Sequence, residues 1–243
     1  MRDIEDYSKQ YAVTDFEIYQ VRYRRKLVLE QIKRYNPQNI LEIGCGYEPL
    51  FKYVPDIRFT IVEPSVEFYE NAKKLAKGKK NISCIMGEME NVADGLTHHY
   101  DMIICSSLLH EVEEPVKLLR SIEKICSDET VVHFNVPNSN SMHRLLALES
   151  GLISNVYEMS ERNKLFQHNN IFDMKKLTEL MRANNMEVID KGSYFVKPFT
   201  HAQMYELISK GIINEQVLDG LYNIVKYMPE LGSEIYVNCR KNR

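Results

Sequence analysis

The sequence predicts an α/β chain built on a mostly parallel sheet with helices on both faces. Three observations carry that prediction. Short runs rich in Ile and Val alternate with longer segments whose apolar residues recur at helical spacing. The first five runs are joined by long links with no tight hairpin turn, which suits right-handed crossovers between parallel strands. The residues with chemistry to offer gather just past the carboxyl ends of the runs, where an open α/β sheet binds its ligand.

Residues 1–16 are polar, with Tyr7, Tyr11 and Phe16 spaced through them. Val21, Val28 and Ile32 then share one face of a helix expected from about Glu17 to Tyr35, and Asn36-Pro37 ends it. Residues 1–35 thus read as an N-terminal helical cap. The basic run from Arg22 to Lys26 reads as a solvated face. Ile40 to Ile43 form a short buried strand, broken by Gly44 and Gly46, which let the backbone turn tightly and approach a ligand. The second strand is Phe59 to Val62, ending in Glu63-Pro64-Ser65. Ser65 caps a helix with Phe68, Ala72, Leu75 and Ala76 on one face. The third strand, Ile82 to Met86, runs into Gly87-Glu88-Met89, and the fourth, Asp101 to Cys105, into Ser106 and His110. Pro115 opens a helix carrying Leu118, Leu119, Ile122 and Ile125, and a fifth strand spans Thr130 to Val136.

Beyond that point the alternation is interrupted twice. Residues 139–172 form one insertion, with a helical piece at Leu145–Leu152. A helix from Asp173 to about Asn184 and a sixth strand, about Glu187 to Val196, follow it. Residues 198–232 form the second insertion. It holds a helix opened by the capping box Thr200-x-x-Gln203 and stopped at Gly211, then a helix from Asn214 with Val217, Leu218, Leu221, Ile224, Val225 and Met228 on one face. Glu234 to Cys239 is the last strand. Insertions of this length usually cover a substrate or make a dimer contact.

Bulk properties exclude several classes. With 243 residues, 44% of them hydrophobic, the chain suits one large domain with a packed core. A net charge of −3 gives no general attraction to nucleic acid or anionic membranes. The five cysteines (45, 84, 105, 126 and 239) are scattered and lack a Cys-x-x-Cys pair. This argues against a disulfide framework or a zinc site, and for a reducing, cytoplasmic location. The acidic N-terminus carries no signal-peptide pattern, and no stretch approaches the roughly 20 apolar residues of a membrane span.

The glycine turn has an unusual charge for a phosphate site. Glu42 precedes the glycines and Glu48 follows them, and carboxylates would repel a pyrophosphate. An adenosine with a positive sulfur and no phosphate, S-adenosylmethionine (SAM), fits better. The stretch resembles the first motif of class I SAM-dependent methyltransferases, with Glu48 where the family's third glycine stands. Glu63 follows the turn by about 20 residues, where an acid meets ribose hydroxyls in nucleotide-binding folds.

The resemblance spans residues 36–138 and, more loosely, 187–240. It implies a Rossmann-like, seven-stranded sheet with one antiparallel strand in a C-terminal hairpin. It also implies a SAM site made of Glu42, Gly44, Gly46, Glu63, Pro64, Gly87, Glu88, Met89 and Ser106. In that site Glu88 receives the adenine amine, Met89 covers the ring, and an Arg or Tyr of the leading helix reaches the methionine carboxylate. The combination of Gly-Cys-Gly-Tyr-Glu-Pro-Leu-Phe with a final Gly-Ser-Glu-Ile-Tyr strand looks like small-molecule methyltransferases found with bacterial surface-polysaccharide genes. It suggests carbohydrate biosynthesis, with O-methylation of a sugar or sugar-linked group as the reaction.

A hydroxyl acceptor benefits from a general base, most often His. His110, one turn past strand four, is the first candidate. His168, just before the helix that precedes strand six, is the second. His133 alternates inside a strand and reads as structural, and His98 and His99 as solvated loop residues. No ligand cluster suggests a metal. The expected partner is a small-molecule acceptor, with no nucleic acid, and the chain is a monomer or homodimer. The alternatives are a SAM-binding interaction protein that does not catalyse and, less favoured, an NAD-dependent oxidoreductase or epimerase. Pro49 breaks the Gly-x-Gly-x-x-Gly fingerprint that the latter needs.

Overall fold

The computed structural model describes residues 16–97, 99–160, 163 and 168–242. Tyr7, Tyr11, most of the leading polar segment and His98 lie outside the described residues.

Seven strands form one sheet: β1 (Asn39–Ile43), β2 (Arg58–Glu63), β3 (Ile82–Met86), β4 (Met102–Ser106), β5 (Val131–Pro137), β6 (Met186–Tyr194) and β7 (Glu234–Lys241). Their order is β3-β2-β1-β4-β5-β7-β6. The first five pair in parallel, and β7 runs antiparallel between β5 and β6. The predicted sheet, with its one antiparallel strand, is therefore present.

The two-residue period of the strands divides the core into two layers. Ile40, Phe59, Ile61, Met102 and Ile104 face one side and pack with Val28 and Ile32 of α1 (Glu17–Tyr35) and Ala72 of α2 (Val66–Ala76). Leu41, Ile43, Ile103, Cys105, Val132 and Phe134 face the other. There they pack with Met89 of α3 (Met89–Val92), Leu118, Leu119 and Ile122 of α4 (Pro115–Ile125), and Leu177 and Met181. Between β5 and β6 stand α5 (Met142–Glu149) and α6 (Met174–Ala183). Asp173 caps α6 by accepting from the Lys176 N–H at 2.7 Å. Between β6 and β7 stand α7 (His201–Ser209), whose capping box is formed as predicted, and α8 (Glu215–Asn223).

Some boundaries differ from expectation for physical reasons. The helical piece expected at 145–152 starts three residues earlier, behind Ser141. β6 ends at Tyr194 because Phe195 takes a left-handed φ of +57°. α8 stops at Asn223, and Ile224–Lys226 form a 3-10 turn, so the apolar stripe drawn through Val217 and Met228 breaks. Leu218 of that stripe is buried, with Tyr222 beside it, and Val217 is exposed.

Helix α1 is tied down at both edges. Phe195 stacks on Tyr23 at 4.5 Å between centroids, in a third cluster with Phe16, Leu27, Met204, Leu218 and Tyr222. Glu234, buried at the start of β7, accepts from Gln20 Nε2 at 3.0 Å, from Arg24 Nε at 3.0 Å and from the Tyr194 hydroxyl. The basic run is therefore not one solvated face. Five consecutive residues wrap more than a full helical turn, so Tyr23 enters the core and Arg24 turns inward while Arg22 and Lys26 stay outside. Removing one member of a buried ion pair leaves the other desolvated. Glu234→Ala is accordingly expected to cost about 3 kcal/mol in urea unfolding, and Glu234→Gln clearly less. A loss indistinguishable from zero would show that Glu17 alone suffices for Arg24.

Candidate active site

The site begins where β1 gives out. Gly44 and Gly46 take left-handed φ values of +75° and +56°, which glycine adopts without strain. Glu63, at the end of β2, holds the turn. One oxygen accepts from the Cys45 N–H at 2.9 Å and the Gly46 N–H at 3.3 Å, and the other accepts from the Ser65 N–H at 2.9 Å. Burial raises the Glu63 pKa, and the three backbone donors oppose that rise. Glu42 lies buried beside it, with the Leu50 N–H at 3.1 and 3.3 Å from its two oxygens. Burial, with help from neighbouring Glu63, pushes Glu42 up to about 8 against the Leu50 amide and Arg25.

A cavity of about 530 Å³ opens over this turn. It sits where β1 has β2 on one side and β4 on the other, the switch point of the sheet. Of the sequence-predicted residues, Glu42, Gly44, Gly46, Glu63, Pro64 and Ser106 line it. Helix α1 closes it with Val21, Arg24 and Arg25 among others. Arg25 pairs with Glu48, which also receives Lys52 Nζ at 3.1 Å and the Tyr53 hydroxyl at 3.2 Å. Burial works against ionisation, yet Lys52 and Arg25 hold Glu48 below the usual carboxylate range. The residue that replaces the motif's third glycine therefore fastens the turn to α1.

Three predicted residues fall elsewhere. Met89 is 2% exposed within the core, because the short α3 turns its first side chain inward against the layer shared with α4. Glu88 is exposed and bonds Asn91, and Gly87 donates its N–H to the Glu63 carbonyl at 3.1 Å. None of the three is in the cavity wall. The acids edging the cavity are Glu17, Glu42, Glu48, Glu63 and Glu111, and Glu88 is not among them.

A second, smaller cavity of about 140 Å³ adjoins the first, and both are lined by Glu17, Arg24, Ser107 and Glu111. Its wall is polar, with Gln20, Asn138, His143, Arg144, Lys197 and His201 drawn from α1, the two insertions and the end of β6. Ser107, left-handed at φ +56°, is held by its N–H donating to the Asn135 carbonyl at 3.0 Å and to Asn135 Oδ1 at 2.8 Å.

His110 and His168 both line this second cavity and meet edge to face, with ring centroids 4.3 Å apart. The segments that carry them are bound together. The backbone N–H groups of Asn169 and Asn170 donate to the His110 carbonyl at 2.9 and 3.0 Å, and their side chains donate to the carbonyls of Glu111 at 2.6 Å and Val112 at 2.8 Å. Glu111 completes a cluster whose three candidate ligand atoms lie within 4.8 Å of one another. The sequence does not display this grouping, because His168 stands far along the chain from His110 and Glu111 and meets them only in the fold. Glu48 and Glu111 join the predicted residues in the wall of the larger cavity, and the place of Glu111 beside His110 is the signal that points to it.

His133 is buried and serves the sheet. Nδ1 donates to Asn238 Oδ1 at 2.8 Å and Nε2 accepts from Asn135 Nδ2 at 3.1 Å. Burial lowers its pKa to about 4, so it stays neutral. His99 is exposed. All five cysteines are free. Among the described residues, no helix is long and apolar enough to cross a membrane.

The chain resembles known proteins along most of its length. A methyltransferase-domain family model matches residues 17–191. A ubiquinone biosynthesis O-methyltransferase of Vibrio cholerae is 23% identical over 224 residues, 88% of this chain and 77% of the relative. One of Nitrosospira multiformis is 25% identical over 117 residues, 46% of this chain and 48% of the relative, so the match spans about half of that protein's length. The plantazolicin methyltransferase BpumL, solved in complex with SAH, superposes with a TM-score of 0.56 at 21% identity, covering 98% of this chain and 90% of that one. A likeness at that identity speaks to the fold alone. The family model, however, covers well over half of the sequence, including every strand that frames the glycine-turn cavity. The chain belongs to the class I S-adenosylmethionine-dependent methyltransferases.

Proposed function

We propose that this enzyme methylates a hydroxyl of a small polar acceptor, a sugar or a sugar-linked group, using SAM. The observation that carries the reading is the pair of adjoining cavities with a shared wall. The larger has the volume of a cofactor site, and the smaller is lined almost wholly by polar side chains. The relatives named as O-methyltransferases support transfer to oxygen.

The residues of the larger cavity suit SAM. The glycine turn lets the main chain approach a ligand closely. The Glu63 oxygen that accepts from Ser65 has a lone pair left for a ribose hydroxyl. Arg25, at the rim, is the residue of α1 that we assign to the methionine carboxylate. Glu42 and Glu63 together suit a cation better than a phosphate. SAM, when bound, supplies an activated methyl whose C–S bonding pair returns to sulfur as the acceptor oxygen attacks in line. The chain's own residues align the two partners and exclude water. His110 and His168 stand on the acceptor side, where the hydroxyl proton must be removed. The 139–172 and 198–232 insertions, which contribute His143, Arg144 and His201 to the wall, would select the acceptor.

Direct assay of SAM turnover to SAH with hydroxylated acceptors tests the proposal, and binding of NAD in place of SAM would sink it. Three further outcomes are expected. Glu63→Gln should weaken SAM binding by about ten- to a hundredfold in calorimetry, at about 1.4 kcal/mol per factor of ten. Affinity within twofold of wild type would remove Glu63 from the ribose site. His110→Ala should lower turnover by about a hundredfold or more while SAM affinity barely changes. Equal turnover would leave His110 a bystander.

The third outcome concerns Glu42, which sits at about 8 in the free enzyme and is mostly protonated at pH 7. A cation bound nearby lowers that value, so SAM binding should release a proton, and affinity should climb from pH 6 to 8 and then level off. Calorimetry in buffers of different ionisation enthalpy reads this directly. Glu42→Gln should abolish the release, and its persistence in that variant would assign the proton to another group.

A further inference from the structure

We propose that His110, Glu111 and His168 bind one divalent transition-metal ion at the border of the two cavities. Two imidazoles and a carboxylate form a set that holds zinc and its first-row neighbours while leaving a coordination position open, and it is a poor set for the oxygen-seeking magnesium and calcium ions.

The geometry favours such a site. The candidate ligand atoms all lie within 4.8 Å of one another, and His110 Nε2 is 3.8 Å from Glu111 Oε1. Ligands about 2.0–2.2 Å from a tetrahedral ion stand roughly 3.4 Å apart, so the cluster must close by about an ångström, within the reach of a side-chain rotation. The scaffold needs no such change. Four hydrogen bonds staple residues 169–170 to the carbonyls of residues 110–112, which fixes the backbone under all three ligands whether or not an ion is present. His110 and Glu111 are 3% and 4% exposed, and a buried carboxylate between two imidazoles is an environment that a cation stabilises. Asn163 Nδ2 donates to His168 Nδ1 at 2.8 Å, an outer contact that orients the imidazole.

The consequence for catalysis rests on the methyl-transfer reading above. An acceptor hydroxyl on the open coordination position would lose its proton to solvent near neutral pH. Its oxygen pair would then form the new bond to the methyl carbon while the C–S pair leaves with sulfur. The metal keeps its oxidation state throughout. His110 would then act through the ion, as one of its ligands.

The test uses the full chain freed of metal by chelation. Zn²⁺ titrated calorimetrically should bind at a single site, and Co²⁺ should give the visible absorption of an ion bound by nitrogen and oxygen ligands. Mg²⁺ should leave both signals unchanged. His110→Ala, Glu111→Gln and His168→Ala should each weaken Zn²⁺ binding by about tenfold or more. Circular dichroism and the urea transition verify that each variant is folded. Because five free cysteines offer competing sites, zinc binding that survives unchanged in folded variants, or a Co²⁺ spectrum with thiolate charge-transfer bands, overturns the assignment. So does the absence of Zn²⁺ binding in the wild-type chain. SAM titration on the same sample separates the two readings. Zinc binding without SAM binding would sink methyl transfer and leave the metal site standing, and the converse would sink only the metal site.

Discussion

The arrangement of this protein depends on one buried carboxylate. Glu63 bonds the amides of Cys45 and Gly46 on one side and of Ser65 on the other, so the ends of β1 and β2 are clamped at a single point. A buried acid is costly when its lone pairs are unfilled, and here three backbone donors occupy three of its four acceptor positions. Their bonds define the floor of the larger cavity. Glu48 ties that floor to α1 through Arg25, and the Arg24–Glu234 pair ties α1 to β7. The cover of the site is thus fastened to two distant parts of the sheet.

A second constraint lies beneath α1. The sheet there is polar. Asn238 donates to Gln31 of α1 at 2.9 Å and accepts from His133. His133 in turn accepts from Asn135, and Asn135 holds Ser106 and Ser107. Such a chain is stable only when each member is satisfied, and the low pKa of His133 keeps it neutral and able to both donate and accept. The same residues that bind helix to sheet also set the left-handed turn at Ser107, which borders both cavities. Packing and site geometry are therefore not separable in this region.

The helical additions give a common sheet a second cavity of particular composition. Folds of this kind host many activities, and what distinguishes one from another is the set of side chains grafted on the rim. Here the first insertion supplies His143, Arg144 and His168, and the second supplies His201. Met204, Leu218 and Tyr222 of the second insertion pack with Phe16, Tyr23 and Phe195, which anchors it against α1. The result is a small polar chamber beside the cofactor-sized one.

The sheet, the glycine turn and the acid after β2 were legible in the sequence because each depends on local rules. Short, nearly continuous apolar runs set the strands, glycine permits the turn, and the βαβ connection carries Glu63 back to it. The chain alone could not reveal which of five consecutive residues in the 22–26 run face inward, since that follows from the helix's rotation against β7. Nor could it show that Met89, whose hydrophobicity suits a core as well as an adenine, lies in the core. It also could not join Glu111 and His110 to His168. That meeting is made by hydrogen bonds from Asn169 and Asn170 to the carbonyls of residues 110–112, and long-range contacts of this kind leave no local pattern to read.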